Sequence, residues 1–171
     1  QDKGVCIAIS DDTVYQITAP DGTFSQISKV ASGGTAFNRD VRVMFAQHYD
    51  DVLFDDDVVV AANGTDLMMI STAEYLPSSP SVNVPSNPTH VTVLDKYLIC
   101  NEKGTGNFHW SDVNEPYTWS ANQAEAEAKK DDIVAIAMAD LELYLMGKRS
   151  LEVWHDDGSM PFIRLYQGFV D

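Results

Sequence analysis

The chain has 171 residues, 44% of them hydrophobic, which suits one domain with a real core and lies far from the composition of disordered segments. Its 26 acidic residues against 11 basic ones give a net charge of −15, a balance that repels nucleic acid at a distance and excludes a basic binding groove. No apolar run approaches the roughly 20 residues of a membrane-spanning helix, so no membrane partner is expected.

Val5 to Ile9 and Thr13 to Thr18 read as a first strand pair turning at Ser10-Asp11-Asp12, and Asp21-Gly22 leads into a third strand from Phe24 to Val30. Ser32-Gly33-Gly34 breaks the pattern. Two β-branched runs, Val41 to Phe45 and Val58 to Ala62, flank an acidic segment from Asp50 to Asp57. Asn63-Gly64 is a strong hairpin signal before Leu67 to Ser71. Four prolines between Pro77 and Pro88 predict an extended connector.

Farther on, Val91 to Leu94 and Tyr97 to Cys100 pair through Asp95-Lys96, and Gly104-Thr105-Gly106 turns the chain into Phe108-His109-Trp110. The segment Asn122 to Lys130 has helical propensity, yet Ala124, Ala126 and Ala128 alternate with Gln123, Glu125 and Glu127. That period of two predicts a short strand and then a polar loop. Four short apolar runs follow, beginning at Asp132, Leu141, Ser150 and Pro161, with tight polar turns between them.

A weak repeat runs through these elements. Ile17, Ile70, Trp110 and Trp154 are the expected third-strand equivalents, at intervals of 53, 40 and 44 residues. Such intervals match propeller blades of roughly 40–50 residues. The expected fold is therefore all-β and propeller-like, one region over 1–171 with antiparallel blades at about 5–45, 52–84, 89–128 and 132–171. A blade needs neighbours on both faces, and about three and a half of them do not close a ring. The remainder is expected from outside this chain, in a longer protein of which it is a piece, or from a partner; a first residue that is Gln and not Met favours the former.

The residues offer little chemistry. Asp50 to Asp57 lacks the alternating spacing and the glycine of a calcium loop, so a solvated turn is expected and no metal. Ser111-Asp112…Trp119 resembles the Asp-box turn of sialidase-type propellers, one residue longer and with Glu115-Pro116 replacing its glycine. Even a true Asp box is a structural lock. Asp112, Glu115, Asp156 and Asp157 are the available carboxylates for a glycosidase pair, with nothing to single out two of them. His48, His90, His109 and His155 show no ligand spacing, and Cys6 and Cys100 sit inside apolar runs as buried thiols. Gly33-Gly34 and Gly104-Thr105-Gly106 are plain turns, not phosphate loops. No catalytic residue, cofactor or metal site is assigned.

The last third of the chain is similar to the packaged-DNA stabilisation proteins of short-tailed bacteriophages, also called tail hub or nozzle proteins. The residues that carry the resemblance are Trp110-Ser111-Asp112…Trp119, then Asp132-Ile133-Val134, Gly147-Lys148-Arg149-Ser150-Leu151-Glu152-Val153-Trp154 and Pro161-Phe162. The resemblance implies a non-enzymatic virion protein of the tail, assembled in the host cytoplasm as a homo-oligomeric ring, typically a hexamer. It implies a portal or adaptor protein as partner, tail needle, fibre or spike proteins docked on the ring, and packaged DNA passing through without sequence-specific binding. Carboxylates along such a channel would repel phosphates and let DNA slide. Glu152 is expected at a partly exposed position, paired with Arg149 or Arg164, and Trp119 and Trp154 in essential packing. A carbohydrate-processing or carbohydrate-binding propeller is the alternative.

Overall fold

The computed structural model describes residues 5–10, 13–18, 23–29, 42–50, 56–71, 77–78, 83–127, 130–158 and 162–165, and among them every regular element is a strand. The first sheet holds β1 (Val5–Ser10), β2 (Thr13–Thr18) and β3 (Thr23–Lys29) in that order. Three four-stranded meanders follow. The second sheet is β4 (Met44–Asp50), β5 (Asp56–Ala62), β6 (Leu67–Ser71) and β7 (Pro77–Ser78). β8 (Val91–Leu94), β9 (Tyr97–Asn101), β10 (Asn107–Trp110) and β11 (Asn122–Glu125) form the third. The fourth is β12 (Ile133–Ala139), β13 (Glu142–Gly147), β14 (Leu151–His155) and β15 (Ile163–Arg164). Every pairing is between antiparallel neighbours in sequence, which short turns allow and which keeps the contacts local.

Turn chemistry fixes these registers. Asn63 Oδ1 accepts the backbone N–H groups of Thr65 and Asp66, each at 2.8 Å, and Gly64 takes φ 81°, so the Asn-Gly pair closes the β5–β6 hairpin. Asp95 (φ 52°) and Asp140 (φ 54°) supply left-handed residues for the two-residue turns after β8 and β12, a conformation that Asp tolerates better than most side chains.

Alternation then sends one face of each strand to each neighbouring sheet. Val58, Val60, Ala62, Leu67 and Met69 of the second sheet meet Val91, Leu98 and Cys100 of the third, with Tyr117 and Trp119. The opposite face of the second sheet, Ala61, Met68 and Ile70, packs with Ile7 of the first. The other face of the third sheet, Leu94, Ile99 and Phe108, meets Ile133, Ile136, Leu143, Leu145 and Phe162 of the fourth. Each fully buried aliphatic or aromatic side chain contributes about 1.5–3 kcal/mol, so the seams, and not the strands singly, hold the fold. The first strands converge: β4 adjoins β8 and β8 adjoins β12. These are the inner strands of consecutive propeller blades.

Several sequence expectations move. Ile17 lies on the middle strand β2, not on a third strand; the first sheet's third strand is β3, so the 53-residue interval was measured from the wrong strand. β4 begins at Met44 and runs through Gln47-His48-Tyr49 to Asp50, where the β-branched run alone suggested Val41 to Phe45. Its pairing with β5 places it in the second sheet, across the division drawn at residue 45. Pro77 and Ser78 pair with Ile70 and Met69 as an edge strand, where a proline's missing N–H can face outward, so the connector starts after them. Asn122 to Glu125 does form a strand, paired with β10. Asp51 to Asp55 lie outside the described residues.

Candidate functional site

Two locks and one stacked seam contain the residues that the sequence singles out. The first lock is the β10–β11 connection. Ser111, fully buried, donates its N–H to the Leu98 carbonyl at 2.9 Å and accepts the Leu98 N–H on Oγ at 3.1 Å, fastening the loop to β9. Asp112 accepts from Ser120 Oγ on Oδ2 at 2.6 Å and from Asn122 Nδ2 on Oδ1 at 3.1 Å, while its own N–H reaches the Thr118 carbonyl at 2.9 Å. Trp119, 2% exposed, donates Nε1–H to the Pro116 carbonyl at 2.9 Å, and its own carbonyl accepts from Asn83 Nδ2 at 3.0 Å. The loop thus ties the third sheet to the connector before β8. Both Asp112 oxygens are engaged in closing it.

The second lock sits at the β13–β14 turn. Gly147 N–H donates to the Ser150 carbonyl at 2.8 Å, and Asp131 Oδ2 accepts the Arg149 N–H at 2.7 Å and the Ser150 hydroxyl at 3.1 Å. The Arg149 N–H, above all, holds the Asp131 carboxyl below its usual range. A Cβ on residue 147 would crowd Ser150 Oγ and stand 2.6 Å from Asp131 Oδ2, so both side chains of this turn would have to shift to admit it. Lys148 pairs with Asp132 on the surface, and that hydrogen bond raises the lysine. Arg149 therefore contributes its backbone to this turn.

Of the two arginines expected beside Glu152, Arg164 is the one within reach, with Nη1 4.0 Å from Glu152 Oε2. Glu152 is 2% exposed rather than partly exposed, because the register Leu145↔Glu152 and Leu143↔Trp154 turns it toward the third sheet. Trp154 Nε1–H donates to Glu152 Oε2 at 3.1 Å. Around this carboxylate the rings of Phe108, Trp110, Trp154 and Phe162 stack edge-on or tilted, with centroids 5.0 to 6.1 Å apart, the preferred range for aromatic pairs. Trp110, Trp154 and Phe162 thus meet in one seam; Ser111, Asp112 and Trp119 form the lock behind it; Gly147 stands at the opposite end of β13–β14.

Two more of the candidates are buried. His109 is buried beside Glu102, at 3.7 Å, and burial lowers its pKa against the pull of that carboxylate. Cys100 is a fully buried free thiol pushed well up by desolvation. Among the described residues no group of His, Cys, Asp or Glu is arranged to hold a metal ion.

Charge is distributed by end, which the sequence did not announce. Inner strands run parallel to one another, so the turns after β4, β8 and β12 and the loops after β10 and β14 share one end of the blades. Asp57, Asp95, Asp112, Glu115, Asp140, Asp156 and Asp157 lie there, with Lys96 and, at the same depth as Asp57, Arg164 as the described basic residues. The other end mixes Asp66, Glu102, Glu127, Asp131 and Asp132 with Arg42, Lys103, Lys130, Lys148 and Arg149. The inner strands β8 and β12 carry no carboxylate at all. Finding this segregation requires strand direction, which composition does not supply.

The fold is shared with solved propellers. A structure described as "YCF48 bound to D1 peptide" superposes with TM-score 0.62 at 13% identity, over 95% of this chain and 50% of that one. YCF48 from Cyanidioschyzon merolae gives 0.58 at 11%, over 95% and 56%. A mitotic checkpoint complex chain gives 0.57 at 13%, over 95% and 48%. The chain spans about half the length of these structures. At such identities the likeness shows the fold alone. No curated protein sequence matches the chain. The family model described as "Bacteriophage P22 Gp10, beta-propeller" matches residues 1–168, nearly the whole sequence and not only the last third. With that match joined to four antiparallel sheets stacked as blades, the chain belongs to the phage P22 Gp10 β-propeller family of DNA-stabilisation proteins.

Proposed function

We propose that this chain serves in the tail hub, or nozzle, of a short-tailed bacteriophage. It contributes one continuous propeller region over 1–171 to a homo-oligomeric ring, hexameric in this reading, assembled in the host cytoplasm and resident in the virion tail. The ring continues the portal channel, retains packaged DNA, and docks the tail needle and fibres or spikes. The observation that carries this reading is the family match over residues 1–168. The geometry supports a scaffold: Asp112, Gly147, Glu152 and Trp154 are engaged in turn closure and interblade packing. A net charge of −15 lets DNA move past without adhering.

The test is particle assembly without the protein. Heads are expected to fill and then lose their DNA, read as nuclease-sensitive genomes after packaging; heads that keep a protected genome overturn the role in DNA retention. The carbohydrate reading is checked separately by saccharide turnover. Turnover abolished by Asp112→Asn would reverse the assignment in favour of an enzyme.

A further inference from the structure

At the acidic end, the seam between the third and fourth sheets opens into a cavity of about 470 Å³. It is lined by Asp95 from the β8–β9 turn, Leu141 from the β12–β13 turn, and His155, Asp156, Asp157 and Gly158 where β14 leaves its sheet. Asp156 is only 6% exposed. Its N–H donates to the Leu141 carbonyl at 3.1 Å, and its Oδ1 accepts the Gly158 N–H at 2.9 Å. Its other oxygen, Oδ2, is buried without a hydrogen-bond partner. Burying a carboxylate oxygen unpaired is costly, and the chain retains it beside an open cavity.

We propose that this cavity is a docking site for an arginine side chain presented by a protein partner. Three carboxyl groups on two sheets exclude phosphate and other anions. A divalent cation is disfavoured, because no three ligands among the described residues converge to hold one. Leu141, half exposed, gives the cavity an apolar wall against which a flat, weakly hydrated guanidinium can lie. The fork of a guanidinium offers parallel donors to the Asp156 carboxylate and to the rim carboxylates of Asp95 and Asp157, a geometry a lysine ammonium does not reproduce. The site is assembled only where the two sheets meet, so it also reads their alignment. It does not depend on the tail assignment, since any partner with an exposed arginine meets the same chemistry.

Titration of the full chain, labelled with 13C at aspartate carboxyls, with Nα-acetyl-arginine methylamide tests this. Saturable shifts are expected at Asp95, Asp156 and Asp157, with the neutral glutamine analogue inert. Asp156→Asn should weaken binding about tenfold or more, the loss of one charge-assisted hydrogen bond. Asp95→Asn, in an exposed left-handed turn that Asn also accepts, keeps the fold and should weaken binding about threefold, as for a rim charge pair. Shifts that stay linear and spread equally to Asp112 and Asp140, affinity unchanged in both variants, or calcium ion displacing the probe at lower concentration would each overturn the proposal.

Discussion

Two interblade seams of the same protein are built from different materials. Between the second and third sheets the contact is aliphatic: Val58, Val60, Leu67, Met69, Val91 and Leu98, closed at one end by Trp119. Between the third and fourth, an aliphatic core of Leu94, Ile99, Ile133, Ile136, Leu143 and Leu145 is joined by an aromatic cluster, with Phe108 fully buried beside Trp110, Trp154 and Phe162 and a buried Glu152 bonded to one of the rings. Aliphatic side chains fill volume and tolerate exchange, whereas rings at set angles and a carboxylate that must reach one indole specify a single alignment. The first seam supplies cohesion; the second supplies cohesion and register.

The largest expected effect lies at the centre of the aromatic seam. Phe108→Ala should lower unfolding free energy in urea by about 3–5 kcal/mol. At the edge of the same seam's hairpin, Gly147→Ala sets a Cβ against the Ser150 hydroxyl and the Asp131 carboxylate and should cost about 1–3 kcal/mol, and the loss should shrink in the Ser150→Ala/Asp131→Ala background, where both obstructing groups are gone. Met69→Leu in the aliphatic seam conserves volume and should cost less than about 1.5 kcal/mol. If it costs as much as Phe108→Ala, the contrast between the seams fails.

Asp131 gives the smallest and most selective test. Its folded pKa is depressed, chiefly by the Arg149 N–H, so the stability it contributes is fully present above its ordinary value near 3.8 and is lost as pH falls through the lower folded value. Wild type and Asp131→Asn should therefore differ in melting temperature at neutral pH and converge in strong acid. A difference that persists unchanged down to the lowest pH at which the protein folds would show that the turn is not held by this carboxylate.

The legibility of the fold follows the same divide. Asn63-Gly64 and Asp95-Lys96 marked their hairpins because turn backbone demands those residues, and the rings of Trp110, Trp154 and Phe162 stood out against short strands. β4 was misplaced because Gln47-His48-Tyr49 lacks the β-branched signature, and only pairing with β5 makes it a strand. Glu152 was expected partly exposed because alternation tells which side a residue takes and not which side is covered. The role of Asp131 was invisible, since it depends on a backbone N–H 18 positions away. The cavity at Asp156 depends on two sheets meeting, which no local pattern encodes.

The measurement that bears most directly on the central claim is electron microscopy of the full chain combined with portal rings. A coaxial ring of subunits stacked on the portal, with β4, β8 and β12 innermost within each propeller, is the expected result. Isolated subunits that never associate with one another or with the portal would contradict it.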